Sequence, residues 1–321
     1  MANTKKKELI SIIVPCFNEE ESLPFFYEET SKVMKTLKED YEIILVNDGS
    51  SDNTLEEMEK LSKKDKHVTY LSFSRNFGKE SAMYAGLCNA KGDYVGILDA
   101  DLQHPPVLLK EMLEAIKSGK YDCAAARRTT RAGDSKVRTF FARQFYKLVN
   151  KISDARMVDG AGDYRLMKRN VVDAILSMSE YNRFSKGIFS WVGFDTYWIE
   201  YENVERVAGT TSWSFWGLVK YAIDGIVNFS SFPLDLASYL GLIMTMLAFV
   251  YLVFIVVKYA IFGDPVQGWP TLICIILIIG GILLFSIGVM GQYIGKTYME
   301  SKNRPHYIVS KTNRKEAEKI K

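Results

Sequence analysis

Cysteine and histidine are scarce in this 321-residue chain, with four of the first and three of the second. The cysteines stand at 16, 88, 123 and 274 and form no CxxC pair. That argues against a disulfide framework or a zinc site and fits a reducing compartment. His67, His104 and His306 show no ligand spacing, so none is read as a metal ligand. No GxGxxG follows the first strand-like run, and there is no GxxxxGK followed by Ser or Thr. Dinucleotide redox chemistry and P-loop ATP hydrolysis lose support accordingly. No glycine repeat runs through the chain, and 48% of its residues are hydrophobic, which excludes collagen-like and disordered classes. After Lys5-Lys6-Lys7 the first apolar run, Leu9–Val14, is strand length, so no signal peptide is expected.

Long hydrophobic runs, by contrast, are present, although the mean hydropathy of −0.04 hides them. Leu236–Val257 is 22 residues without a charge, and Pro265–Gly295 is 31 more. A membrane helix needs roughly 20 apolar residues. The spacer Lys258–Asp264 is short and contains Gly263, so the pair reads as a helical hairpin crossing a bilayer twice, at about 235–258 and 268–293. Lys296–Lys321 carries eight Lys/Arg and three acids, a net +5. The positive-inside rule then places this basic tail in the cytoplasm, and two crossings put residues 1–232 on the same side. The formal net charge of +3 is thus a juxtamembrane feature and no sign of nucleic-acid binding.

Before the hairpin, short apolar runs recur at 9–15, 41–46, 68–73, 94–99 and 121–126. Helix-like stretches such as Glu20–Lys38 and Asp52–Lys64 separate them, the second with a Ser51-Asp52-Asn53 cap and Glu56 in its first turn. Alternating strands and helices predict a parallel sheet covered on both faces. In such sheets ligands sit beyond the carboxyl ends of the strands. Those ends are polar: Pro15–Glu20, Asn47–Asp52, Ser74–Lys79 and Asp99–Pro106. Each alone suits a turn, but four in succession on one edge make a ligand site the better account.

Asp99-Ala100-Asp101 is the chemical centre of this edge. Two carboxylates two residues apart, just past a buried strand, can jointly hold a hard divalent cation together with substrate phosphate oxygens. Such a cation neutralises charge on a departing diphosphate.

The ordered set VPCFNEE, VNDGSSD, SRNFGK, GDYVGILDADLQHPP and GDYRL resembles the inverting glycosyltransferases of the GT-A fold. More narrowly it is similar to polyprenyl-phosphate glycosyltransferases, including bactoprenol glucosyltransferases and dolichol-phosphate mannose synthases. The hairpin ending GQYIGKTYMESKNRPHYIV is similar to the bactoprenol branch. The resemblance implies an α/β, Rossmann-like nucleotide-sugar domain at 1–207, an amphipathic interfacial helix at 208–232, membrane helices within 233–295 and a basic tail at 296–321. It implies that Pro15, Asn18, Glu19, Asp48, Lys79, Asp99 and Gln103 serve the nucleotide sugar. Asp99 and Asp101 would hold Mg²⁺ or Mn²⁺, with Asp101 and Asp163 catalytic. Arg127, Arg138 and Arg206 would face the acceptor phosphate. Departures occur at Asn47, His104, Ser212 and Gln292, where the family usually has Asp, Asp or Asn, Lys and Glu; Ser212 thus lacks the charge of the Lys that would make a third phosphate contact.

The implied reaction moves a hexose, glucose first, from UDP-sugar to undecaprenyl phosphate at the cytoplasmic face of the cell membrane. UDP-GlcNAc and GDP-mannose are alternative donors. A phosphate monoester is largely dianionic at pH 7, so Asp163 either removes a proton or orients the acceptor. Two anionic substrates require cations, for which Arg75, Lys79, Arg127, Arg128, Arg131, Arg138 and Arg206 are candidates. Val137, Phe141, Phe145, Leu148 and Ile152 recur at helical spacing in Lys136–Ile152, either packing on the sheet or presenting a basic face to lipid. Trp213–Phe229 carries a polar stripe, Lys220, Asp224 and Asn228, on an apolar helix suited to the membrane interface. The rival readings are a processive synthase, which would be expected to carry QxxRW and more crossings, and a non-catalytic envelope scaffold or lipid-sugar flippase. Assembly into a homo-oligomer is compatible with any of these.

Overall fold

The computed structural model describes residues 7–128, 150–151, 158, 160–201, 226–262, 268–318 and 320. Most of the amphipathic stretch at 136–152, the interfacial helix up to 225, and Arg131, Arg138 and Arg206 lie outside the described residues.

Four apolar runs form the centre of the sheet: β1 (Leu9–Cys16), β2 (Asp40–Asn47), β3 (Val68–Phe73) and β4 (Tyr94–Ile97). They pair in parallel, β4 with β1, β1 with β2, and β2 with β3. Helices cover both of their faces, which is why they read as continuous apolar runs. On one side lie α1 (Leu23–Met34), α2 (Thr54–Lys64) and α4 (Leu108–Lys117); Phe26, Met58, Met112 and Ile116 enter that core. On the other lies α3 (Lys79–Asn89), with Met83 and Leu87 against Ile13 and Ile44. Fully burying one such side chain contributes roughly 1.5–3 kcal/mol.

Beyond β4 the chain adds β5 (Cys123–Arg128), β6 (Ala161–Lys168), α5 (Arg169–Ser177), α6 (Ser185–Trp191) and β7 (Thr196–Tyr201). A last strand, β8 (Val309–Thr312), completes the order β7-β5-β6-β4-β1-β2-β3-β8. The wholly parallel sheet expected from the alternation is therefore corrected to a mixed one. β6 runs antiparallel to β4 and β5, and β8 antiparallel to β3. Apolar runs report burial and carry no information on strand direction.

The two long uncharged runs are helices, α7 (Phe232–Phe262) and α8 (Trp269–Ser301), which pack on each other. At 1.5 Å per residue, 31 residues span about 46 Å, more than a hydrocarbon core of about 30 Å. Phe232–Phe254 and Ile278–Ser301 are candidate membrane spans. Tyr239, Met246, Phe249, Leu283 and Leu284 point outward, an apolar surface that water would not tolerate at this size.

The segment expected to be a basic tail from 296 is not a free tail. Helix α8 continues to Ser301, and the chain then returns to the α/β domain. Tyr307 is fully buried and stacks on Phe73 at 5.4 Å. β8 pairs with β3 through Leu71↔Thr312 and Ser72↔Lys311. In the returning segment Arg314 meets Glu42 of the domain at 3.1 Å and Lys311 meets Glu59 at 2.5 Å, while Glu316 meets Lys91 at 2.7 Å. Strand pairing and local ion pairs use charges that the composition alone assigned to the membrane surface.

Candidate active site

The four polar strand ends meet at one edge of the sheet. Pro15 sits in β1 because its missing N–H falls past the end of β4. Ile13 O accepts from Leu98 N and Cys16 O from Asp48 N, so the odd positions of β1 face β4, whose paired residues stop at Ile97. The β1 loop is then laced to the β2 loop. Asn18 donates its N–H to Ser50 Oγ at 2.9 Å, and its Oδ1 accepts from Ser51 N at 2.9 Å. Glu19 N donates to Thr54 Oγ1 at 2.8 Å and Glu20 N to Asp52 Oδ2 at 3.2 Å. Asn18 and Leu102 both have positive φ, 56° and 55°. Left-handed backbone at non-glycine residues marks two loops held in shape by their surroundings.

Asp48 lies 3% exposed behind this surface. Its carboxylate accepts from Phe77 N at 2.7 Å and from Gly78 N at 3.0 and 3.1 Å, so it faces the β3–α3 loop. Burial pushes it up to about 6 against those amide bonds and Arg75. Gly49 beside it has φ +67°, and a Cβ there would lie 2.4 Å from the Arg75 carbonyl carbon. Only glycine lets the second and third loops close on each other.

The reacting end is built by β4, β6 and α3. Ile97 pairs with Arg165, so continuing the antiparallel ladder by two residues brings Asp99 beside Asp163. Lys79, in the first turn of α3, bridges them: its Nζ is 2.7 Å from Asp99 Oδ1 and 2.9 Å from Asp163 Oδ2. Burial alone would lower the Lys79 ammonium, but Asp163 and Asp99 hold it above its ordinary value. Burial would likewise raise Asp163, yet Lys79, and after it Lys186, hold that carboxyl below the usual range. Asp101 is 9% exposed, and its Oδ1 accepts from Gln103 N at 3.1 Å, curling the loop after Leu102.

Sequence-expected residues thus divide. Asp99, Lys79 and Asp163 are in direct contact, and Asp101 and Gln103 sit on the same loop. Asn18 and Glu19 shape the neighbouring loop. Arg127 is engaged elsewhere, its Nε donating to Glu200 Oε1 at 3.1 Å. Arg128, next in β5, is the cation on the site side; it hydrogen-bonds the Tyr201 hydroxyl and acts on His104. His104 is buried, 2.6 Å from Tyr201 Oη through Nδ1, with Nε2 3.9 Å from Asp99 Oδ2. Burial lowers its pKa despite Asp99 and Asp101, leaving it a neutral packing partner.

Two residues escaped sequence reasoning. Glu80 accepts from Ser185 N at 3.0 Å and from its hydroxyl, tying α3 to the start of α6. Burial, and then Asp163, push it up to about 7. Lys186 follows in α6 and acts on Asp163. No local motif announces either, because their partners are about a hundred residues or more than twenty residues away.

The family model described as Glycosyl transferase family 2 matches residues 11–176, more than half of the chain. The chain is 43% identical over 305 residues to the SfII prophage-derived bactoprenol glucosyl transferase of Shigella flexneri, covering 95% of this chain and 98% of that one. It is also 43% identical over 305 residues to the prophage bactoprenol glucosyl transferase homolog of Escherichia coli (strain K12), covering 95% and 99%. Among solved structures it is similar to a mannosyltransferase from Pyrobaculum calidifontis in complex with GDP-Man and Mn²⁺, at 15% identity and a TM-score of 0.49, covering 70% of this chain and 64% of that one. With a family model across most of its sheet and relatives aligned along nearly their whole length, the chain belongs to glycosyl transferase family 2, its α/β part being a GT-A glycosyltransferase domain that precedes two candidate membrane helices.

Proposed function

We propose that this glycosyltransferase moves glucose from UDP-glucose to a polyprenyl phosphate, undecaprenyl phosphate first, at the cytoplasmic face of the membrane and with inversion at the anomeric carbon. The observation that carries the reading is the contact of Lys79 with Asp99 and Asp163 at a sheet edge, in a chain that also has two candidate membrane spans. The relatives named bactoprenol glucosyl transferase support the sugar and the lipid carrier.

The residues fit a divalent cation. Asp99 and Asp101 are hard oxygen donors, and among the described residues no group of three His, Cys, Asp or Glu forms a closed cage. That donor set suits Mg²⁺ or Mn²⁺ sharing its remaining positions with a substrate diphosphate. The ammonium seated against Asp99 supports the same point, since this carboxylate faces a cation. A bound cation would supply charge neutralisation for the departing diphosphate.

The protein's own residues do the rest. The β1 and β2 loops, fixed by Asn18 and Asp48, shape the nucleotide side. Asp163, ionised and held by Lys79, is a weak base. A phosphate monoester with a second pKa near 6 needs little deprotonation at pH 7. Asp163 therefore orients the acceptor. An acceptor oxygen forms the new bond to C1 while the bond from C1 to the diphosphate oxygen breaks, and UDP leaves with the electron pair. Attack opposite the leaving group inverts the centre.

Orientation rests on two independent supports. Lys296, Lys302 and Arg304, at the end of the hairpin, outnumber Lys258 in the spacer and favour the cytoplasm. The return of the chain after α8 into β8, beside β3, favours one side for everything outside the hairpin.

Full-length protein in detergent, given radiolabelled UDP-glucose and undecaprenyl phosphate, is expected to yield a labelled lipid. Asp101→Asn should lower the rate about a hundredfold or more, because electrostatic stabilisation of the leaving group is lost. UDP-GlcNAc and GDP-mannose are the comparison donors. The reading is overturned if no sugar nucleotide labels the lipid or if Asp101→Asn transfers normally.

A further inference from the structure

Where the end of α8 meets the α/β domain there is a cavity of about 380 Å³. Its walls include Tyr84 of α3, Tyr181, Glu300 of α8, Arg304 and His306. None of Lys79, Asp99, Asp101 and Asp163 lines it, so it is separate from the sheet-edge cluster. Its volume falls within the roughly 300–1,000 Å³ of small-molecule pockets.

Glu300 is the charged group of the inner wall. Its Oε1 accepts from Tyr181 N at 2.7 Å and from Asn182 N at 3.3 Å. Its Oε2 accepts no hydrogen bond, and no cation pairs with it, among the described residues. A carboxylate can only accept, so a half-buried free oxygen calls for a donor, and a charged donor binds best. Aromatic rings stand beside it. The His306 ring lies between two tyrosines, 4.8 Å from Tyr84 and 5.6 Å from Tyr181 between centroids. Burial, and then Arg183, lower the His306 pKa, so at neutral pH the imidazole is an uncharged ring. Arg183 lies over the Tyr84 ring at 4.3 Å and is not part of the cavity wall. Aromatic faces next to a free carboxylate oxygen suit an ammonium group.

Arg304 supplies the opposite charge. It is exposed on the same cavity, four residues after Glu300, and makes no ion pair among the described residues. Its guanidinium fork matches phosphate oxygens. A simple anion would leave Glu300 unmatched, and a simple amine would leave Arg304 so. A zwitterion with an ammonium a few atoms from a phosphate answers both. A quaternary ammonium has no N–H for Oε2, so a primary one fits better. Glu300 lies in the last turn of α8, and Ile278–Ser301 is a candidate membrane span, which puts the cavity within reach of lipid head groups.

We propose that this cavity seats the head group of a phosphatidylethanolamine, its ammonium donating to Glu300 Oε2 beside the rings of Tyr84, Tyr181 and His306, and its phosphodiester held by Arg304. The lipid source rests on reading α8 as a membrane helix, and neither part depends on sugar transfer.

The test is binding to the delipidated full chain in detergent, followed by native mass spectrometry. The probes are phosphatidylethanolamine, phosphatidylcholine, phosphatidylglycerol and soluble glycerophosphoethanolamine. Phosphatidylethanolamine should bind roughly tenfold or more tightly than the other two lipids, the scale of one charge-assisted hydrogen bond. Glycerophosphoethanolamine, with no acyl chains to lie along α8, should bind more weakly than its lipid. Glu300→Gln keeps an oxygen for the Tyr181 and Asn182 amides and removes the charge, so it should abolish the preference among lipids. Arg304→Gln, at an exposed position, should weaken phosphatidylethanolamine and phosphatidylcholine alike, several-fold, and leave their ratio unchanged. Phosphatidylcholine or phosphatidylglycerol binding as tightly as phosphatidylethanolamine overturns the ammonium seat, and so does a preference that survives Glu300→Gln. If Glu300→Gln fails to fold, the probe series and Arg304→Gln carry the test, and affinities unmoved in Arg304→Gln overturn the phosphate seat. Glycerophosphoethanolamine binding as tightly as the lipid overturns the lipid source. No sugar nucleotide is present, so none of these results bears on the transferase reading.

Discussion

Lys79→Met tests the centre of the site. The substitution keeps the stem of the side chain and removes the ammonium between Asp99 and Asp163. Their side chains are 26% and 14% exposed, and that of Lys79 is 44% exposed. Removing one partner of a buried ion pair costs about 3–5 kcal/mol, and an exposed pair contributes about 0–1 kcal/mol. The Lys79 side chain is partly open to solvent and that of Asp163 hardly at all, so the loss should lie between these limits, at about 1–2 kcal/mol. At about 2–4 °C per kcal/mol for a domain of this size, Tm should fall roughly 2–8 °C in EDTA. Two carboxylates left facing each other should then favour a divalent cation more than in the wild type. Millimolar Mg²⁺ or Mn²⁺ should therefore raise the Tm of the variant further than that of the wild type. Burial, the main upward influence on Asp163, would be opposed only by Lys186 and Arg165. The acid limb of kcat/KM should therefore move to higher pH. Equal melting of variant and wild type in EDTA, with an unmoved pH profile, would refute the electrostatic account of this cluster.

Two further perturbations address the frame. Glu80 is raised from an ordinary carboxylate value to about 7. Between about 4.5 and 7 the folded state holds the proton that the unfolded state releases, so stability falls as pH rises through that window. Glu80→Gln should flatten this slope, by at most about 3 kcal/mol in total, in denaturant titrations at pH 4.5 and 8; a slope identical to wild type would contradict the assignment. Tyr307 is fully buried between Phe73 and Tyr84, so Tyr307→Ala should cost about 3–5 kcal/mol and loosen β8, read as faster amide exchange at Leu71–Phe73; unchanged exchange there would show that β8 is not held by this anchor.

Much of the frame was legible in the sequence. The four apolar runs predicted β1 to β4 to within two residues, because strands buried on both faces are written as uninterrupted apolar residues. The loops that meet at the sheet edge were legible through their Asp, Asn and Gly content. Strand direction was not, and β6 entered as an antiparallel member. Nor was β8: Val309-Ser310-Lys311-Thr312 is four residues of mixed polarity, and its partner β3 is more than two hundred residues earlier. Charge counting placed +5 near the membrane, whereas Lys311 and Arg314 each face an acid of the domain. A composition reports how much charge a segment has and is silent on which neighbours meet it. The same limit explains Arg127 and Arg128. Adjacent residues of a strand point to opposite faces, and only the register with β7 shows that Glu200 takes the first while Tyr201 meets the second.

Hydrogen bonds also hold the site against the hairpin. The segment Tyr181–Lys186 is fixed from both directions. On the hairpin side, Glu300 near the end of α8 accepts from Tyr181 N at 2.7 Å, and Lys296 Nζ donates to Asn228 Oδ1 at 2.6 Å. Asn228 in turn donates to Asn182 O at 2.8 Å. On the catalytic side, Glu80 holds Ser185. Five residues of chain thus separate the end of the hairpin from a carboxylate next to Lys79. So short a connection cannot absorb much displacement, since even fully extended it spans only about 17 Å. The position of Asp163 relative to the hairpin is therefore set by hydrogen bonds, not by a flexible linker. In the proposed reaction a soluble donor and a lipid-borne acceptor meet at one carbon only if that position is fixed, and these are the bonds that fix it.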